Sequence, residues 1–209
     1  MSEAYRFLKR TVPHILPLLI ELELVGGENF PERPPYILAT NHLSVFDLPV
    51  IFVVCPHQVH AFAAAKHRRN LFYAPILSAV GAIWVQRGEV DRRALREALQ
   101  LLENGHVLGM APEGTRSRDS YSLLEGKAGP AYLATRADVP LLPVGLAGTE
   151  NVKENLPRLR RTQVRMAVGE PFRLPTSGRV RTPKLREYTD LIMHRIAELV
   201  PPEYRGIYG

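Results

Sequence analysis

Short apolar runs alternate with longer segments of mixed character along the chain. Residues 22–25 and 35–39 read as strands, separated by the turn-rich Gly26-Gly27-Glu28-Asn29-Phe30-Pro31. Residues 44–54 read as a short buried helix, 59–65 as a third strand and 82–85 as a fourth. The clearest helix is 91–104: Asp91 is placed to cap it, Ala94, Leu95, Ala98, Leu99, Leu101 and Leu102 form its apolar face, and Gly105 suits the position just past its end. A buried strand follows at 106–111, a helix at 127–137, strands at 141–146 and 163–168, and a final helix at 184–200. Strands alternating with helices in this way predict an α/β fold, with a mostly parallel central sheet flanked by helices. In such folds the chemistry sits on loops beyond the carboxyl ends of the strands.

The 209 residues, 45% hydrophobic and 23% charged, suit one substantial core. They exclude a disordered tail, a collagen-like chain or a disulfide scaffold. The single cysteine, Cys55, rules out an intrachain disulfide and a multi-cysteine zinc site, and its apolar surroundings make it a core residue. Trp84 reads as core too. His14, His57, His60 and His67 have no ligand spacing with acids, so no metal is expected.

Charge adds a second pattern. Residues 1–150 carry 15 basic and 15 acidic side chains, whereas 151–209 carry 12 basic and 6 acidic, which accounts for the whole net charge of +6. Arg158, Arg160, Arg161, Arg165, Arg173, Arg179, Arg181, Lys184 and Arg186 make a diffuse basic band. Such a field attracts phosphates, anionic lipids or acidic carrier proteins, and equally describes an ordinary solvated surface. It lacks the interleaved aromatics and motifs of a nucleic-acid binder, so no nucleic-acid partner is expected.

At the N-terminus, Arg6, Lys9 and Arg10 precede a nine-residue apolar stretch, 12–20, that contains Pro13, His14 and Pro17. It is too short for the roughly 20 apolar residues of a spanning helix, and no secretory signal is visible. Residues 1–19 are expected to form an amphipathic segment, either interfacial or packed on the domain, with 20–209 as a single domain.

Three loops carry candidate chemistry. Asn41-His42-Leu43-Ser44-Val45-Phe46-Asp47 follows the strand at 35–39 and leads into a helix. With Ser44 capping that helix, Asp47 falls in its first turn and can reach back to one nitrogen of His42. That would leave the other nitrogen as a general base. The same spacing also describes a capped helix start with a nearby histidine. Met110-Ala111-Pro112-Glu113-Gly114-Thr115-Arg116-Ser117 follows another strand. Gly114 permits close backbone approach, Thr115, Arg116 and Ser117 supply donors, and arginine can grip a phosphate by two parallel hydrogen bonds. Glu113 can orient an arginine or accept from a substrate hydroxyl. The Gly-Lys-Ser/Thr ending of a Walker A loop is missing. Gln86-Arg87-Gly88 closes a third strand, and Arg87 and Arg116 could converge on one phosphate.

Together these segments resemble the glycerolipid acyltransferases, and in particular the lysophosphatidic acid acyltransferase group. The first loop is similar to that family's His-four-residues-Asp motif, and Gly81 through Gly88 to its second block. Pro112 through Ser117 is similar to the third block, and Val139-Pro140-Leu141-Leu142-Pro143-Val144-Gly145 to the fourth. The likeness runs from about Leu24 to Gly169. Lys127-Ala128-Gly129 fits the segment after the third block, while Ala111 stands where the family often has Phe. The resemblance implies transfer of a fatty acyl group from acyl-CoA or acyl-carrier protein to the free hydroxyl of lysophosphatidic acid, giving phosphatidic acid with no bound cofactor.

In that scheme His42 is the base and Asp47 its support. Arg87, Glu113, Gly114, Thr115 and Arg116 form the acceptor phosphate site, Lys66 is an oxyanion candidate, and Asn41 and Ser44 play supporting parts. The protein would act peripherally on the anionic cytoplasmic face of a membrane. Other acceptors, such as glycerol-3-phosphate, a lysophospholipid or an amino-acid lipid, remain open at this level. A Ser44/His42 hydrolase is disfavoured by the absence of a Gly-x-Ser-x-Gly elbow.

Overall fold

The computed structural model describes residues 2–71, 73–86, 91–117, 120–175 and 181–209. Seven strands form one sheet in the order β1-β7-β6-β2-β5-β3-β4. They are β1 (Ile20–Val25), β2 (Tyr36–Thr40), β3 (Val59–Ala64), β4 (Ile83–Val85), β5 (Val107–Met110), β6 (Leu141–Ala147) and β7 (Thr162–Val168). Every neighbouring pair is parallel except β6 and β7. The expected mostly parallel sheet is therefore present. Its one antiparallel join, which the apolar pattern does not signal, reverses β7 and β1 against the other five strands.

The central strands β2 and β6 are buried along their whole length, as a sheet covered on both faces requires. Successive side chains alternate between two cores. Ile37 and Ala39 face a core with Leu108, Leu141 and Ile83, which is closed by α4 (Arg92–Glu103), α5 (Gly129–Ala137) and α7 (Thr182–Ala197). Tyr36 and Leu38 face the other, with Val107, Leu142, Val144, Leu146 and Met166, which is closed by α1 (Glu3–Leu19) and α2 (Asp47–Val54). The helices α3 (Tyr73–Ala79) and α6 (Val152–Asn155) complete the set.

The expected Asp91 cap is present: its carboxylate accepts from the Ala94 N–H at 2.9 Å. Cys55 is buried as expected, but Trp84 is only half-buried, a partial correction to its reading as core. The helix after the first motif is shorter than expected. It begins at Asp47, with Phe46 at its cap, so Ser44 is not the cap residue. The Ser44 hydroxyl instead accepts the Phe46 N–H at 3.0 Å and closes a local turn ahead of the helix.

The N-terminal segment is a continuous helix in spite of Pro13 and Pro17. Its polar and apolar positions segregate. Tyr5 and Leu16 are buried against the domain, and Lys9 donates to the Phe52 and Cys55 carbonyls at the end of α2, at 2.8 and 2.9 Å. Phe7, Ile15 and Leu18 remain exposed on another face. The expected packing on the domain is present on one face, and one apolar face is open. No helix among the described residues is long and apolar enough to cross a membrane.

Candidate active site

The carboxyl ends of the parallel strands β2 and β5 bring the loops of His42 and Glu113 to one edge of the sheet. At the end of β2, Asn41 is buried and continues the pairing with β6 through its side chain. Its amide donates to the Leu146 carbonyl and accepts the Leu146 N–H, both at 2.8 Å. This holds the chain one residue past the strand and fixes where His42 emerges.

The His42 Nδ1 and Asp47 Oδ2 lie 2.6 Å apart, with the His42 side chain 29% exposed and that of Asp47 4% exposed. A carboxylate only accepts, so Nδ1 carries the hydrogen and Nε2 is the nitrogen that can take up a proton. The same Oδ2 accepts the N–H groups of Leu43 at 2.9 Å and Ser44 at 3.0 Å. Oδ1 accepts from the Thr149 hydroxyl. Asp47 therefore shapes the whole turn that presents His42, in addition to touching its ring.

Thr149 was not singled out by any local pattern, because it lies 102 residues further along the chain. It follows β6 at Gly148, whose φ of +88° and closeness to the Gln163 carbonyl leave no room for a Cβ. The Ser44 hydroxyl donates to the Thr149 carbonyl at 2.9 Å. The Ser44 hydroxyl is thus engaged in hydrogen bonds on both sides of the turn.

Glu113, expected at the acceptor phosphate site, is held by backbone N–H groups. It is buried, and its oxygens accept two backbone N–H groups at 3.2 Å, from His42 to Oε1 and from Leu124 to Oε2. It ties the third-block loop to the back of the histidine turn, a link reinforced by the Ser117 N–H donating to the His42 carbonyl at 3.0 Å. Burial pushes the Glu113 carboxyl up to about 7. The Asp47 charge adds to this, and the N–H bonds from Leu124 and His42 oppose it.

A carboxyl that takes up its proton more readily folded than unfolded costs stability as pH rises between the two pKa values, here from about 4.5 to about 7. The expected loss is on the order of 3 kcal/mol. Urea unfolding at pH 5 and pH 8 should show Glu113→Gln losing less stability than wild type over that interval. An equal loss in both proteins would show that this carboxyl does not titrate there.

Gly114 turns the same loop at φ +67°, and the Lys127 ammonium lies about where a Cβ on that residue would meet it, at 3.1 Å. Lys127 thus adds a cation beside exposed Gly114 and Thr115 and half-buried Arg116. Only its place after the third block signals it in the sequence. Lys66 is exposed just beyond β3, at the same edge. Arg87 lies outside the described residues. Among the described residues, no group of three or more histidine, cysteine, aspartate or glutamate side chains could hold a metal ion. The geometry offers a carboxylate-held imidazole next to a cationic, glycine-turned loop. That arrangement can deprotonate a hydroxyl while an anionic group is held nearby.

A family described as Acyltransferase matches residues 21–147. A 1-acyl-sn-glycerol-3-phosphate acyltransferase of Bacillus subtilis is 25% identical over 93% of this chain and 96% of its own. Its counterpart in Borreliella burgdorferi is 32% identical over 63% of this chain and 53% of its own length. The crystal structure of the 1-acyl-sn-glycerophosphate (LPA) acyltransferase PlsC from Thermotoga maritima superposes with a TM-score of 0.71 at 26% identity, covering 93% of this chain and 79% of that one. The family match takes in the histidine turn, the third-block loop and Leu146, more than half of the chain, and by it this protein belongs to the acyltransferase family.

Proposed function

We propose that the protein transfers a fatty acyl group from a thioester, acyl-CoA or acyl-carrier protein, to the free hydroxyl of lysophosphatidic acid, giving phosphatidic acid. The observation that carries this reading is the 2.6 Å contact between His42 and Asp47 at the carboxyl edge of the sheet. The names of the relatives support the acceptor. Nε2 of His42 takes the proton of the acceptor hydroxyl as its oxygen attacks the thioester carbonyl. The tetrahedral oxyanion collapses, the C–S bond breaks, and the thiolate leaves with the proton that the imidazolium returns. No acyl-enzyme forms and no bound cofactor takes part. The Asp47 charge favours the imidazolium that develops between the two proton transfers.

Arg116, Thr115, the Gly114 backbone and Lys127 hold the acceptor phosphate, with Arg87 joining them from the second block. Lys66 is assigned to the developing oxyanion. Glu113 serves by fixing the histidine turn. The protein works as a peripheral protein on the cytoplasmic face of an anionic membrane, where its lipid acceptor resides.

Thiol release from one acyl-CoA, measured across a panel of acceptors, tests the reading. Lysophosphatidate should be preferred over glycerol-3-phosphate and over neutral lysophospholipids. Fatty acid release without any acceptor would instead mark a hydrolase. Arg116→Ala should raise KM for lysophosphatidate about 10- to 100-fold, the worth of one or two charge-assisted hydrogen bonds. A fall in kcat at unchanged KM would remove Arg116 from the phosphate site.

A further inference from the structure

Leu159 is 93% exposed, the most open large apolar side chain among the described residues for which exposure is given. It also sits at φ +52°, a left-handed conformation that glycine or asparagine adopts more readily. A bulky apolar residue held against both its solvation and its backbone preference points to a use for the side chain. Its neighbours are distinctive too. Residues 156–161 are all exposed and consist of Leu156, Pro157, Arg158, Leu159, Arg160 and Arg161.

Strand polarity decides which way this turn faces. Because β7 runs opposite to β6, its N-terminal end lies at the edge where β2, β5 and β3 deliver His42, Arg116 and Lys66. The turn immediately precedes β7. In the parallel pair of β1 and β7, Ile20 is opposite Thr162, and the Arg161 guanidinium donates to the Ile20 carbonyl at 3.1 Å. The last turn of α1, with Leu18 72% exposed, therefore adjoins the 156–161 turn.

The geometry points to a second membrane-docking element: the 156–161 turn inserts Leu159 into an anionic lipid surface, with Arg158 and Arg160 at the headgroups, beside Leu18 of α1. Basic residues at headgroup level with leucines beneath them match an interfacial contact. An acidic protein partner would account for the arginines but not for the protruding leucine. This deepens the proposed acyl transfer by adding a contact on the edge that carries His42, facing the layer that holds the acceptor.

Co-sedimentation with vesicles of equal parts phosphatidylglycerol and phosphatidylcholine tests the element separately from the chemistry. Leu159→Gly suits the backbone at that position, so it should fold at least as well as wild type, yet bind vesicles about tenfold more weakly. Arg158→Ala with Arg160→Ala should cost about 30-fold, and high salt should remove that difference. Turnover of a dispersed short-chain acceptor should stay at the wild-type rate in both variants.

Wild-type vesicle binding in both variants would overturn the proposal. So would lost binding to an acidic carrier protein with vesicle binding intact. Vesicle binding that depends on Leu159 in a protein with no acyl transfer to any acceptor would uphold the surface and sink the proposed reaction instead.

Discussion

Replacing His42 by alanine is expected to abolish acyl transfer, by about 1,000-fold or more, and to leave the fold in place. General acid–base catalysis alone contributes about 100- to 10,000-fold, and in the proposed reaction one ring serves both proton transfers. The structural cost is small because the turn does not depend on the ring. The main-chain bonds of residue 42, its N–H to Glu113 and its carbonyl from Ser117, survive the substitution. Asp47 also keeps its bonds from Leu43, Ser44 and Thr149. A melting temperature within a few degrees of wild type, measured beside thiol release from acyl-CoA with lysophosphatidate, separates the two effects. Residual activity within tenfold of wild type would exclude His42 as the base.

How much of this could be read from the residues depended on distance along the chain. The strands carry short apolar runs and the long helices a period-3.6 signal, both of which survive in isolation, and Asp91 caps its helix as its spacing predicts. The pairing of His42 with Asp47 spans five positions, so a local motif suffices to suggest it. The supports of that pair are different in kind. Thr149 reaches Asp47, Leu146 clasps Asn41, and Glu113 grips the His42 N–H only once the sheet has set β2 between β5 and β6.

The resemblance places Glu113 at the phosphate site, and nothing in its polar loop signals that the side chain is buried. Its burial follows from packing across the sheet edge, which no local pattern encodes. The helix start was misplaced for a related reason. Ser44 has the chemistry of a cap, but its hydroxyl accepts the Phe46 N–H in a turn ahead of the helix and donates to the Thr149 carbonyl, 105 residues away. The basic band divides in the same manner. Arg173 pairs with Asp138, Lys184 with Glu187 and Arg165 with Glu23, and the exposed run that includes Arg158 and Arg160 gathers at the edge that carries His42.

Asp47 separates geometry from charge, and two substitutions should show it. In Asp47→Asn the amide oxygen can face the donors of His42, Leu43 and Ser44, while its NH2 faces Thr149, whose hydroxyl can turn to accept. The turn should survive with a loss of about 1–2 kcal/mol, yet the negative charge that favours the imidazolium is gone. Activity should fall about 100- to 1,000-fold, mainly in kcat, because the charge matters most as the proton moves. Asp47→Ala removes the acceptor altogether and strands the buried Leu43 N–H and the Thr149 hydroxyl. Each orphaned group costs about 1–3 kcal/mol, so unfolding in urea should show a loss of about 3–5 kcal/mol, with activity as low as in His42→Ala. In the proposed reaction His42 and Asp47 act as one unit, so adding Asp47→Asn to His42→Ala should lower activity little further. A double variant whose losses multiply would mean that the two residues act separately, and an Asp47→Asn enzyme with wild-type kcat would reduce Asp47 to a structural peg.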